Sequence, residues 1–160
     1  MMWKYLIAGL AMPALLLAPA PANAATVTPH YSPDGMLSFA LLTATNEERA
    51  EAGCPPLRVE TELIIASVEQ SGYMATTRQF GHLGADGSTF VDRAQEAGYT
   101  KPAGENIAWG YRDTDQVMAA WMASPPHRAN ILNCEARSVG IGTRRAADGT
   151  PYFTQVFGWE

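Results

Sequence analysis

The stretch WMASPPHRANILNC, residues 121–134, determines how the second half of the chain is organised. Helix-forming residues lead up to Ser124, and two consecutive prolines follow. Proline lacks an amide hydrogen, and the residue before a proline avoids the α region, so a helix must stop here. His127 comes directly after this stop. Either the chain only turns at this point, or the turn directs His127 towards a site.

The N-terminal residues have the pattern of a secretory signal peptide, residues 1–24. Lys4 gives a positive start, an apolar run extends from Leu6 to Leu17, and Ala22-Asn23-Ala24 is a small-x-small cleavage site. The run is too short for a spanning helix. We therefore predict cleavage after Ala24 and a secreted, extracellular protein; an uncleaved membrane anchor is the alternative. After cleavage, no remaining segment has the apolar length of a transmembrane helix.

Charge excludes several classes of partner. Without Lys4, ten basic and 16 acidic residues remain, a net charge near −6. No basic patch is present, so neither nucleic acid nor purely electrostatic attachment to anionic lipid is expected. The sequence does not indicate an oligomeric state.

The pattern after the signal predicts a flexible lead-in over residues 25–36, which contains two prolines and a glycine, and one folded domain over residues 37–160. Helical spacing and stop signals predict helices over residues 37–52, 61–79, 89–97 and 114–124. Strand patterns cover residues 104–111, 139–143 and 152–157, the last two joined by the Asp148-Gly149 turn signal. This predicts an α+β fold, a three-layer α-β-α sandwich with a small, mainly antiparallel central sheet.

Cys54 and Cys134 are the only two cysteines. An even count in an exported chain favours a disulfide, and two cysteines allow one pairing. Such a bond would close a loop of about 80 residues, worth roughly 4–5 kcal/mol in the chain-entropy model. Two buried free thiols are the alternative.

The polar residues that could carry chemistry are His82, Glu105, Ser124, His127 and Asn130. Each also has an ordinary structural explanation. His82 lies in the glycine-rich loop GHLGADGS, and Glu105 fits a solvated strand face. Ser124 fits a helix end, and Asn130 could satisfy buried backbone groups. No zinc-protease helix motif, phosphate-binding loop or serine nucleophile elbow is present.

Five blocks in order resemble the bacterial branch of the CAP superfamily, the SCP-like domain shared by cysteine-rich secretory proteins, antigen 5 and pathogenesis-related plant proteins. The blocks are ATNEERAEAGCPPL, FGHLGADGSTFVDRAQEAGY, GENIAWG, WMASPPHRANILN and VGIG with YFTQVFG. They cover nearly the whole of the predicted mature chain. The resemblance implies the same three-layer fold, and it implies that Cys54 and Cys134 pair as in exported actinobacterial members.

The resemblance also implies a cleft with two histidines and two acidic residues. His82 matches the first histidine, Glu105 the first glutamate and His127 the second histidine. Ser124 stands where the family has its second glutamate, which weakens any mechanism that needs two carboxylates. His82 and His127 are then candidate ligands for Zn²⁺ or another divalent cation, although a structural zinc site normally has four protein ligands.

Two functions follow from this cleft. The first is a secreted binding module that holds a small apolar or amphipathic ligand, a lipid or an envelope component, beside His82, Glu105, Ser124 and His127. The second is an extracellular hydrolase of peptides or cell-wall material with His82, Glu105 and His127 as candidate catalytic residues. A purely structural role in the envelope is a third possibility, and fold resemblance alone does not choose among them.

Overall fold

A computed structural model describes residues 32–160. These residues form five α-helices, one short 3₁₀ helix and four strands. The helices are α1 (Pro33–Glu51), α2 (Thr61–Thr77), α3 (Phe90–Glu96), α4 (Thr114–Ala123) and α5 (Pro125–Ile131), and the 3₁₀ helix is Ala85–Gly87. The strands are β1 (Arg58–Val59), β2 (Pro102–Trp109), β3 (Ser138–Arg145) and β4 (Pro151–Gly158).

The strands form one sheet in the order β1-β3-β4-β2. β4 pairs antiparallel with both of its neighbours, and only the two-residue β1 runs parallel to β3. The predicted mainly antiparallel sheet is therefore confirmed. β2 is an edge strand, so one of its sides is free to border a site.

Helices cover both faces of the sheet. α2 and α3 lie on one face, where Leu63 and Ala94 pack with Val156 of β4. α1, α4 and α5 lie on the other, where the larger core includes Trp121 and Phe153. The predicted three-layer α-β-α sandwich is confirmed, and the alternation of strand side chains explains it, because successive residues of β4 point into different cores.

α2 lies directly on the backbone of β3. A Cβ atom added at Gly140 would overlap main-chain atoms of Leu63 and Ile64. The hydroxyls of Ser67 and Ser71 donate to the carbonyls of Gly140 and Gly142 at 2.9 and 2.8 Å. The glycines of the VGIG block thus permit a helix–strand approach that any larger side chain would prevent.

Several element boundaries differ from the sequence prediction. α1 begins at Pro33 rather than Leu37, because Ser32 accepts a capping bond from the Gly35 amide and Pro33 suits the first helical turn. Residues 33–36 of the predicted lead-in are therefore helical. The short β1 was not predicted, and the two prolines that end α4 also begin α5.

Cys54 and Cys134 form the predicted disulfide, across a sequence separation of 80 residues. Arg49 stabilises the same connection between the segments after α1 and after α5. It is fully buried and donates five hydrogen bonds of 2.8–3.0 Å to four backbone carbonyls, those of Pro55, Ile131, Asn133 and Ala136. Burial, and secondarily the charge of Arg137, lowers the pKa of Arg49.

The predicted signal peptide, its cleavage after Ala24 and residues 25–31 of the lead-in lie outside the described residues. Within residues 32–160, no helix is both long and apolar enough to cross a membrane.

Candidate functional site

The candidate site follows the free edge of β2. A loop after α2 approaches this edge from one face of the sheet, and α5 approaches it from the other. α2 ends where Arg78 takes a left-handed backbone conformation, φ 64°, and its amide bonds back to Met74. The chain then turns away from α2 and carries Phe80 and His82 to β2. We call the region bounded by Phe80, His82, Glu105, Trp109, Ser124 and His127 the histidine cleft.

His82 and Glu105 are in direct contact. The Nδ1 atom of His82 lies 2.8 Å from Oε1 of Glu105. The Glu105 side chain is 1% exposed, whereas that of His82 is 55% exposed. A carboxylate acceptor at Nδ1 places the proton there and leaves Nε2 open to solvent. The two residues that the sequence placed far apart therefore form one polar unit.

The second oxygen of Glu105 is bound by Arg93, which the sequence analysis missed. Nη2 of Arg93 lies 2.5 Å from Oε2, and both side chains are buried. Nη1 of Arg93 also donates to the carbonyl of Ser88 at 2.7 Å, which fastens the loop that carries His82. The sequence contains one signal for this role of Arg93: it is a charged residue next to Ala94, which belongs to the apolar stripe of the predicted third helix.

His127 and Ser124 line a cavity of about 290 Å³, which does not include His82 or Glu105. The remaining lining is Phe80, Ile107, Ala108, Trp109, Tyr111, Ala120 and Trp121. The His127 ring lies 6.4 Å from that of Trp121, and its Nδ1 is buried without a hydrogen-bond partner among the described residues. Burial first, and the charge of His82 second, lower the pKa of His127, so the neutral imidazole is favoured.

Ser124 is the cap residue between α4 and α5, and its side chain makes no capping hydrogen bond to α5. Ser124 is thus the helix-end residue that the sequence predicted, although its hydroxyl does not cap α5. Ser124 brings no negative charge to the cavity, in contrast to the second glutamate expected from the family pattern.

Asn106 and Asn130 connect the two halves of the cleft. Asn106 is fully buried and donates to the carbonyl of His127 at 3.2 Å. Asn130 donates to the carbonyl of Glu105 at 3.2 Å and to Oδ1 of Asn106 at 2.9 Å. Gly104 leaves room for the Asn130 side chain, because a Cβ atom at position 104 would lie only 2.8 Å from Oδ1 of Asn130. The structural explanation of Asn130 is therefore confirmed, and α5 is fixed to β2.

The donors present do not fit a zinc site. Within residues 32–160 no group of three or more His, Cys, Asp or Glu side chains is arranged to hold a metal ion. Both oxygens of Glu105 are already bound, by His82 and Arg93. Two imidazoles without a third protein ligand make a weak zinc site.

A cavity of about 460 Å³ borders His82 and Glu105, with Leu83, Thr89, Phe90, Ala103, Gly104 and Asn130. It lies beside the cavity of His127 along β2, so the four predicted cleft residues divide between two adjoining hollows. A further apolar cavity of about 410 Å³ lies between α1 and α2 and contains none of the predicted site residues.

Comparison with known proteins agrees with this architecture. Residues 42–157 match the family described as CAP, the cysteine-rich secretory protein family. The uncharacterized protein YkwD of Bacillus subtilis (strain 168) is 35% identical over 99 residues, which are 61% of this chain and 38% of that relative. The chain therefore matches well under half of that relative's length.

Two solved structures resemble the fold. An outer surface protein from Borrelia burgdorferi has a TM-score of 0.72 at 21% identity and matches 81% of this chain and 96% of its own. An extracellular protein containing an SCP domain from Bacillus anthracis str. Ames has a TM-score of 0.70 at 25% identity, over 83% of this chain and 45% of its own. At 21% identity, the likeness to the Borrelia protein shows the fold alone.

Proposed function

Since the chain belongs to the cysteine-rich secretory protein (CAP) family, we propose that it is an exported binding module that holds a small apolar or envelope-derived ligand in the histidine cleft. Membership of a family with this fold does not itself supply an activity. The proposal depends on the side chains that line the cleft.

One observation carries the proposal. The cavity of His127 is lined by four aromatic side chains, with a neutral imidazole and a serine hydroxyl, and its lining includes no Asp, Glu, Lys or Arg. Concave, mostly apolar surfaces with a few polar groups are the usual form of small-ligand sites. A ligand with an apolar body and a few polar atoms fits such a lining.

Export is part of the proposal. The signal pattern of residues 1–24 supports it, and so does the Cys54–Cys134 disulfide, since disulfides persist in oxidising compartments. The Bacillus anthracis protein is described as extracellular and the Borrelia protein as an outer surface protein. The proposal needs no divalent cation.

The test is ligand retention. The mature chain, residues 25–160, is stripped of bound molecules, incubated with an extract of bacterial envelope, and analysed by mass spectrometry. We expect one class of envelope molecule to be retained. Ala120→Leu, which fills the cavity of His127, should abolish retention.

Ala129→Leu is the matched control, because Ala129 is exposed on α5 and lines a different depression. It should retain the ligand as the unaltered chain does. If the unaltered chain retains nothing, or if Ala120→Leu retains as much as Ala129→Leu, the binding proposal is wrong.

A hydrolase remains the second candidate, and the His82–Glu105 pair is the observation that favours it. A carboxylate that holds Nδ1–H leaves Nε2 to accept a proton from water, which is the arrangement of a general base. The discriminating measurement is turnover of peptides and of cell-wall fragments by the mature chain and by His82→Ala. Turnover that is lost in a folded His82→Ala variant would establish the hydrolase, and no turnover by either protein would reject it.

A further inference from the structure

The rim of the histidine cleft exposes an aromatic surface. Trp109 is 51% exposed and Phe80 is 47% exposed. The two ring centroids lie 6.2 Å apart, with 48° between the planes. Tyr152, itself buried, lies 6.1 Å from the Trp109 ring at 18°, nearly parallel to it. Trp109 thus stacks on its cross-strand neighbour Tyr152, and about half of its surface stays exposed where it lines the cavity.

Polar groups stand beside this aromatic surface. The cavity that Trp109 borders also contains the Ser124 hydroxyl, the Tyr111 phenol and His127, whose buried Nδ1 lacks a partner among the described residues. The cavity that borders the preceding residues of β2 contains His82, Thr89 and Asn130. Ser124, Thr89 and Asn130 supply hydroxyl and amide groups, and the charge of Glu105 is already paired with Arg93.

Charge distinguishes between ligand classes. The cavity of about 290 Å³ lies just below the roughly 300–1,000 Å³ that drug-sized ligands occupy, so it holds one ring-sized unit of a longer ligand. Its lining includes no Lys or Arg to neutralise a carboxylate or phosphate. The carboxylate of a fatty acid or the phosphate of a phospholipid would therefore lose its water in the cavity without gaining a counterion, which is unfavourable.

We propose that the histidine cleft binds an uncharged oligosaccharide, with one sugar ring stacked on Trp109 and the next unit beside His82. A pyranose has an apolar C–H face, which suits the negative face of an aromatic ring, and hydroxyl edges that need donors and acceptors. Both kinds of surface meet at this rim. The inference rests on the proposed binding function and narrows its ligand to one chemical class.

The experiment is a calorimetric titration of the mature chain with three neutral probes, each followed in parallel by tryptophan fluorescence. The probes are the β-1,4-linked tetramer of N-acetylglucosamine, cellotetraose and maltotetraose. We expect at least one to bind and to change the fluorescence. Trp109→Ala should weaken that binding by about tenfold, as expected when a stacked ring is lost.

Trp159→Ala is the matched control. Trp159 is 41% exposed but lies beyond the opposite end of the β2–β4 ladder, about 23 Å along the strands from Trp109 at roughly 3.3 Å per residue. It should leave the affinity unchanged. The inference is overturned if none of the probes binds, or if Trp109→Ala binds as well as Trp159→Ala.

A parallel titration with a fluorescent fatty acid separates this inference from the function on which it rests. If the fatty acid binds and the three sugars do not, the cleft is a lipid site, so the saccharide inference fails while the binding proposal stands. If neither binds and the envelope extract yields no retained ligand, both fail.

Discussion

Arg93 and Glu105 form a buried ion pair, with Nη2 of the guanidinium 2.5 Å from Oε2 of the carboxylate. The other oxygen of the same carboxylate is occupied by His82. Glu105 thus fixes the orientation of His82, while Arg93 balances the charge that this requires. A carboxylate in this state is a structural support for the imidazole and has no oxygen left for a metal ion.

Replacing Glu105 with Gln should destabilise the fold by about 3–5 kcal/mol, because it leaves the Arg93 cation buried without a counterion. The measurement is urea unfolding of the mature chain. Combining it with Arg93→Met should recover a large part of the loss, since the unpaired charge is then removed.

An exposed ion pair provides the control for this cycle. Lys101 and Glu160 lie 3.0 Å apart, and both are more than half exposed. Lys101→Met should cost less than about 1 kcal/mol. If Glu105→Gln is no more costly than Lys101→Met, or if Arg93→Met adds to the loss, the ion pair does not have the role assigned to it here.

The stability of the protein should fall as the pH decreases below about 6.5, in part because of His127. Burial, together with the charge of His82, lowers the pKa of His127 in the folded state. The unfolded chain therefore binds this proton at a higher pH than the folded chain does, and protonation favours unfolding until the pH lies below the folded pKa.

The measurement compares the free energy of unfolding at pH 7 and pH 5 for the unaltered chain and for His127→Gln. Carboxylates titrate in both proteins, so the difference between the two slopes isolates His127. A smaller loss on acidification is expected in His127→Gln. Equal slopes would contradict the prediction.

Arg49→Lys should destabilise the protein by about 2–4 kcal/mol although the positive charge is kept. Arg49 donates to four carbonyls from three nitrogens arranged in a plane, and an ammonium group has three donors at one point. Arg58→Lys, on the exposed β1, should change stability by less than about 0.5 kcal/mol. Thermal unfolding of both variants tests this, and comparable losses in the two would refute it.

Gly140→Ala should cost about 1–3 kcal/mol or more, since the added methyl group overlaps the backbone of α2 and forces helix and strand apart. Gly81→Ala is the control, because no atom lies within 4 Å of a Cβ at that position and its φ is not positive. The comparison is made by urea unfolding. A tolerated Gly140→Ala would show that α2 has room to move.

The order and type of the main elements could be predicted from the sequence. Pro125 and Pro126 gave a definite helix stop, and the alternation around Ile107 gave the edge strand. The two residues of β1 could not be predicted, because a strand this short has no periodicity and exists only through its pairing with β3. α5 was missed because the same prolines that end one helix are also favoured in the first turn of the next.

The cleft could be predicted only in part. The family resemblance brought His82, Glu105, Ser124 and His127 to attention, and the structure places all four along β2. The role of Arg93 could not be predicted, because an ion pair between a helix and a strand depends on three-dimensional packing. The same is true of Trp109, which the strand pattern placed beside Ile107 on one face but whose exposure depends on the end of the sheet.

The contact of α2 with the bare backbone at Gly140 and Gly142 has a consequence for recognition. With no side chain between helix and strand, that interface cannot repack, and so the two elements move together. The loop that follows α2 carries Phe80 and His82. The packing of α2 on β3 therefore determines where this loop lies relative to the sheet. Selectivity for a ligand is thus expected to be altered by changes in β3, in residues that no bound molecule would touch.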